Sequence, residues 1–207
     1  YVAYARYYGL NFAELEPDLV GVRSSIGTFA SGSYELVCQH FLPPGYPPHK
    51  TAFLLHGYFD HAGLYRHLIK HLLRQGIAAV IFDLPGHGLS SGAPASISSF
   101  QEYSDAFVEC LEMARKQQLT QPWVAIGQST GGAIFMDTLL ENKLGKDLTI
   151  EHFILLGPLL RPKHWSRSKI LFSLSRLFVA STPRKFSKNS HDTEVLDFLE
   201  SKDELQS

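Results

Sequence analysis

Val124-Ala-Ile-Gly-Gln-Ser-Thr-Gly-Gly-Ala133 decides how the rest of the sequence is read. Trp123 to Ile126 is an apolar run with the length and β-branched content of a buried strand, and a helix-like segment runs from Ala133 to Leu140. Between them Gly127-Gln-Ser-Thr-Gly-Gly132 leaves room only for a tight turn. A serine at the apex of such a turn takes a strained backbone conformation, and small residues on either side let strand and helix approach closely. Its hydroxyl then stands clear of the sheet. The N–H groups that open the helix point to where negative charge would develop on a substrate carbonyl oxygen. Ser129 is the candidate nucleophile; the bland alternative is a glycine-rich helix start carrying an ordinary serine.

Working outward, strands alternate with helices from Thr51 onward, the sequence mark of a parallel sheet covered on both faces. Thr51 to Leu55 reads as the first such strand. Leu64 to Leu73 reads as an amphipathic helix, with Leu64, Leu68, Ile69, Leu72 and Leu73 on one side and Gly76 as its stop. Ile77 to Phe82 is a near-continuous apolar strand. Ser99 and Glu102 have the spacing of a capping box, opening a helix that carries Phe100, Tyr103, Phe107, Cys110, Leu111 and Ala114 inward. Phe153 to Leu156 is the last strand of the series. Upstream, Tyr1 to Leu10 has helical spacing and ends at Gly9. Ile26 to Ala30 and Tyr34 to Phe41 flank Ser31-Gly-Ser33 as a hairpin, and Leu42-Pro-Pro-Gly-Tyr-Pro-Pro48 is a loop.

With 207 residues, 44% of them hydrophobic, the chain fits one well-buried domain and is short for two. A net charge of -1 gives no global attraction to nucleic acid, and none is expected as a partner. Cys38 and Cys110 each sit in an apolar pattern and read as buried thiols of a reducing, cytoplasmic compartment, with a single disulfide the less favoured alternative. No apolar run is long enough to cross a bilayer. The sequence starts at Tyr1 rather than methionine, which leaves a removed leader open.

His56-Gly57-Tyr58 falls at the C-terminal end of the first parallel strand, the edge of an open α/β sheet where ligands bind. A tight turn there can aim the Tyr58 N–H at the same point as the Thr130 N–H, or His56 and Gly57 are merely turn residues. In Asp83-Leu-Pro-Gly-His-Gly-Leu-Ser90 a proline and two glycines fix a loop. Asp83 is expected to accept loop N–H bonds and His87 to orient neighbours. A metal held by His56, His61, Asp83 and His87 is not expected, because no tight ligand pair such as H-E-x-x-H appears.

Together, His56-Gly-Tyr-Phe-Asp-His61, Asp83-Leu-Pro-Gly-His-Gly-Leu-Ser90 and Gly127-Gln-Ser-Thr-Gly-Gly132 resemble the α/β-hydrolase superfamily. The likeness is closest to its monoacylglycerol lipase and lysophospholipase branch, often grouped with serine aminopeptidases, and covers about Ile26 to Pro162. It implies an α/β-hydrolase fold: a mostly parallel sheet with helices on both faces and a helical lid. It also implies Ser129 as nucleophile, Tyr58 and Thr130 as backbone donors of an oxyanion hole, and no cofactor. The expected division is a core over 1–157 and an incomplete lid or cap over 158–207.

Between Glu151 and Asp192 there is no acidic residue, while arginine and lysine accumulate from Arg161 to Lys188 around an apolar stripe of Ile170, Leu171, Leu174, Leu177 and Phe178. That makes a basic amphipathic helix in the place of the family's lid, suited to an acyl chain and to peripheral contact with an anionic membrane. Ordinary packing on the domain is the competing explanation. The family's acid and histidine follow its seventh and eighth strands, and neither strand is found here; His191 and Asp192 are poor substitutes. Either the sequence is a fragment lacking those parts, and inactive alone, or it is a degenerate relative; the first is favoured because two missing strands leave a sheet edge bare. The expectation is a serine hydrolase of lipid-like carboxylic esters, monoacylglycerol or lysophospholipid. A non-catalytic ligand-binding protein of the same fold, and a small-molecule esterase or thioesterase, are the alternatives.

Overall fold

The computed structural model of the protein describes residues 1–45, 47–161, 165 and 192–205. Residues 1–158 and 159–204 form separate compact units. The first holds a six-stranded sheet: β1 (Arg23–Ser31), β2 (Tyr34–Leu42), β3 (Lys50–Leu55), β4 (Ile77–Phe82), β5 (Trp123–Gln128) and β6 (Ile150–Leu156). The spatial order is β1-β2-β4-β3-β5-β6. β1 and β2 form the expected antiparallel hairpin, whose register closes at Ser31 opposite Tyr34, with Gly32 at φ +56° supplying the turn. β2 pairs antiparallel with β4, and β4, β3, β5 and β6 are parallel neighbours. The α/β-hydrolase fold is therefore the one the chain adopts.

The helices of this unit are α1 (Val2–Tyr8), α2 (Phe12–Leu15), α3 (Arg66–Arg74), α4 (Gln101–Lys116) and α5 (Thr130–Leu140). Alternate side chains of the central strands go to opposite faces. Phe53, Leu55, Val80, Phe82, Trp123 and Ala125 join Phe107, Cys110, Ile134 and Phe135 of α4 and α5 in one buried cluster. The other alternates, Ala52, Leu54, Ala79 and Ile81, are buried as well, as are Ile69, Leu72 and Leu73 of α3. Cys38 and Cys110 are free, buried thiols. Gly9 at φ +67° ends α1, and Gly76 at φ +70° follows α3, both where a stop is expected.

Four local expectations need correction. The helix expected over Leu64 to Leu73 forms as α3 but begins at Arg66, after a 3₁₀ turn, Ala62–Tyr65, that takes in Leu64. The Ser99/Glu102 capping box does not form, because the Glu102 carboxylate accepts from Tyr34 Oη at 2.8 Å and α4 is left with no side-chain cap. Phe100 is exposed rather than inward. α5 begins at Thr130, earlier than Ala133, because Gly131 and Gly132 are helical residues.

In the second unit, a helix spans Thr193–Ser201, with the Glu194 N–H donating to Asp192 Oδ1 at 3.0 Å. The basic stretch read as a lid, and His191, lie outside the described residues apart from Arg161 and Trp165. Among the described residues, no helix is long and apolar enough to cross a membrane.

Candidate active site

Ser129 sits between β5 and α5 at φ +49° and ψ −107°, a conformation that L side chains rarely take. The turn is held from both ends. The Ser129 N–H donates to the Leu156 carbonyl at 2.9 Å, and the Ser129 carbonyl accepts from the Ala133 N–H at 3.1 Å. Its side chain makes no capping hydrogen bond to the helix it opens and is half-buried. The small residues are there for space: a Cβ on Gly127 would lie 2.6 Å from the Gly131 carbonyl carbon, and one on Gly131 2.3 Å from the Leu55 carbonyl oxygen. Only bare backbone lets α5 start this close to β3 and β5.

β3 and β5 pair until Leu55 meets Gly127. Just beyond, His56-Gly57-Tyr58 turns against Ser129, so that a Cβ on Gly57 would stand 3.6 Å from the Ser129 Cβ. The structure thus brings the His56 and Ser129 motifs into contact. Tyr58 and Thr130 follow Gly57 and Ser129 in the chain, and neither N–H donates to a backbone carbonyl in the turns and loops of the described residues. Thr130 is buried and its Oγ1 has no partner among the described residues.

His56 is fully buried. Its Nε2 accepts from the Leu84 N–H at 2.9 Å, so Nδ1 carries the proton and donates to the Gly57 carbonyl at 2.8 Å. Burial above all, then the nearby His87, pushes its pKa down to about 3, and the ring is neutral. It pins the turn after β3 to the loop after β4. Asp83 does what was expected of it: its two carboxylate oxygens accept from the Ala62 N–H at 2.7 Å and the Leu89 N–H at 2.8 Å. Burial raises its pKa against the pull of those two bonds. Ser90 Oγ closes the loop, donating to the Asp83 carbonyl at 2.6 Å and accepting from the Val37 N–H at 2.9 Å.

His61 accepts from the Gly63 N–H at 3.1 Å, and its ring meets that of Tyr8 edge-on, with centroids 4.8 Å apart. His87 donates from Nδ1 to the Pro85 carbonyl at 2.9 Å, leaving Nε2 buried without a partner among the described residues. Among the described residues no group of three or more His, Cys, Asp or Glu side chains is placed to hold a metal ion. The four candidate ligands are instead used within the turns.

The side-chain contacts of two aromatic residues of the site, Tyr58 and Tyr65, had no signal in the sequence. The Tyr58 ring stands edge-on to His87, centroids 5.5 Å apart, and its hydroxyl donates to the Ala95 carbonyl. Tyr65 donates from its hydroxyl to Gln128 Oε1 at 2.6 Å, reaching the residue before Ser129. Both contacts are tertiary, between residues far apart in the chain, so local pattern could not reveal them.

Residues 46–206 match the family described as serine aminopeptidase, S33. The chain belongs to that family of α/β hydrolases. It is 31% identical over 147 residues to the monoglyceride lipase of Rattus norvegicus, covering 69% of this chain and 46% of that protein. It is 31% identical over 91 residues to the monoacylglycerol lipase of Mycolicibacterium smegmatis, covering 44% of this chain and 32% of that one. The chain thus spans less than half the length of these relatives. A soluble variant of the Saccharomyces cerevisiae monoglyceride lipase, solved with a substrate analogue, superposes with a TM-score of 0.63 at 20% identity, over 88% of this chain and 62% of that one. At that identity the superposition shows a shared fold.

Proposed function

We propose that this S33-family chain carries the nucleophile of a serine ester hydrolase acting on lipid-like esters, monoacylglycerol or lysophospholipid. The observation that carries the reading is Ser129, held at φ +49° with a hydroxyl that the following helix does not use. Ser129 Oγ attacks the acyl carbonyl, and the N–H groups of Tyr58 and Thr130 hold the oxyanion of the tetrahedral intermediate. Removing one such donor typically costs about 3 kcal/mol of transition-state stabilisation. Alcohol leaves, and water releases the acyl-enzyme.

Among the described residues, no histidine hydrogen-bonds Ser129, and His56 has both ring nitrogens engaged. In this reading the base that takes the Ser129 proton and its orienting carboxylate come from outside the described residues. The monoglyceride lipases among the relatives support the choice of ester. Contact with an anionic membrane through the basic stretch 161–188, and a cytoplasmic location, belong to the same proposal.

A fluorophosphonate probe on the full protein tests it: labelling at Ser129 that Ser129→Ala abolishes is expected. An unlabelled wild type favours a non-catalytic ligand-binding protein, the reading to which the lack of a histidine on Ser129 among the described residues points. A panel of short- and long-chain esters then separates lipase from small-molecule esterase or thioesterase.

A further inference from the structure

β1 is the outer strand of the sheet and pairs with β2 alone. Among the described residues its main chain hydrogen-bonds to no other segment, so one row of N–H and carbonyl groups faces outward. Such an edge is normally blunted by shortness, a proline, a bulge or a lysine, because two bare strands pair on contact. β1 has none of these. It is nine residues long, its register with β2 is unbroken, and Ser24 through Ser31 contains neither a charge nor a proline. Every residue from Arg23 to Thr28 is exposed, and a Cβ placed on Gly27 would meet nothing within 4 Å.

The strand is its own complement. Two copies laid antiparallel about a two-fold axis through Gly27 set Ile26 opposite Thr28, and set the strand's one charge, Arg23, opposite Ser31 rather than opposite itself. An axis normal to the sheet also leaves both copies of α4 on the same face, running antiparallel. On that face an open depression of about 330 Å³ lies between β1 and α4, lined by Phe29, Ala30, Glu109, Met113, Lys116 and Gln117. Glu109 and Lys116 are exposed and two helical turns apart, one on each side of Met113. Antiparallel copies therefore turn each Glu109 toward the other's Lys116. Main-chain pairing and charge select the same partner. We propose that β1 and the adjoining face of α4 are a docking surface for a second copy of this chain, in a two-fold dimer whose sheet runs continuously through both copies. Three strands separate β1 from β5, so the dimer forms whether or not Ser129 is a nucleophile.

Sedimentation velocity on the full protein tests it, with a dimer expected at tens of micromolar. Glu109→Lys and Lys116→Glu each turn two symmetry-related attractions into repulsions, and each is expected to raise the dimer Kd about tenfold. The double variant Glu109→Lys/Lys116→Glu swaps the charges and is expected to return Kd to within about threefold of wild type. Both side chains are exposed, so circular dichroism and the melting temperature of the dilute variants are expected to hold. Gly27→Cys reads the strand contact directly. Residues facing each other across an antiparallel pair lie about 4.5–5.5 Å apart at Cα, within disulfide reach, so mild oxidation is expected to give a covalent dimer. The wild type, whose Cys38 and Cys110 are buried, is expected to give none. A wild type that stays monomeric at about ten times those concentrations overturns the proposal. So does a dimer that the single charge variants leave unweakened or that Gly27→Cys fails to cross-link, since it is built on another face.

Discussion

The Leu84 N–H donates to His56 Nε2 at 2.9 Å, and a ring nitrogen that accepts this bond must be free of a proton. Protonating His56 breaks the link between the two loops at a fully buried ring. With a native pKa pushed from 6.5 to about 3, the unfolded chain binds more protons than the native one across that interval. The stabilisation is fully present above about pH 6.5 and is lost as pH falls toward 3, at up to about 1.4 kcal/mol per pH unit. Urea midpoints measured between pH 8 and 4 should show a flat neutral limb and a steep acid one. His87 and His40, lowered chiefly by burial, add to the slope in the same direction. His56→Gln, which keeps an acceptor for Leu84, should flatten the acid limb; an unchanged slope would mean that His56 does not titrate with folding.

Gly131→Ala should destabilise the domain although it places a better helix former inside α5. Propensity alone favours alanine by about 1 kcal/mol. The added Cβ, however, lies 2.3 Å from the Leu55 carbonyl oxygen, and Leu55 is fixed by the β3–β5 ladder. The net cost is expected to be roughly 2–4 kcal/mol. Gly145→Ala, with nothing within 4 Å of its Cβ, is the control and should fall within about 0.5 kcal/mol of wild type. Thermal denaturation of the two variants side by side checks the contrast.

Tyr103→Phe should stabilise. The Tyr103 hydroxyl is buried without a partner among the described residues, while its ring keeps edge contacts with His87 and Phe100 at centroid distances of 6.2 Å and 5.7 Å. Phenylalanine retains those contacts and removes the desolvated oxygen, for a gain of about 1–2 kcal/mol. A lower urea midpoint in Tyr103→Phe would show that the hydroxyl is hydrogen-bonded after all.

The parallel strands were legible in the sequence because a strand buried on both faces is an unbroken apolar run, and Ile77–Phe82 begins and ends where its run does. The turn at Ser129 was legible too, since close approach of backbones forces glycine at 127 and 131. Asp83 could be assigned to its loop because proline and glycine advertise one. What failed were inferences from local pairing. Glu102 has the right spacing from Ser99, yet Tyr34 from β2 offers its carboxylate a hydroxyl at 2.8 Å, and the tertiary bond wins. The Tyr65–Gln128 hydrogen bond has no local pattern at all, as its partner is brought to it by the sheet.

Ser129 should be storing strain that the proposed chemistry requires and the fold does not. At φ +49° and ψ −107° the Cβ is crowded by its own backbone, a conformation costing about 1–3 kcal/mol for any residue but glycine. Ser129→Ala deletes the hydroxyl and keeps the Cβ, so its strain remains; Ser129→Gly removes both. Glycine also loosens the unfolded chain, which offsets about 0.5–1 kcal/mol of the relief. Ser129→Gly is therefore expected to be more stable than Ser129→Ala by about 1 kcal/mol, with both unlabelled by fluorophosphonate. The comparison is made between the two variants because the loss of the hydroxyl is common to both. Equal urea midpoints would mean that the turn costs the protein nothing, and that the conformation reports on packing by Gly127 and Gly131 rather than on a nucleophile held under tension.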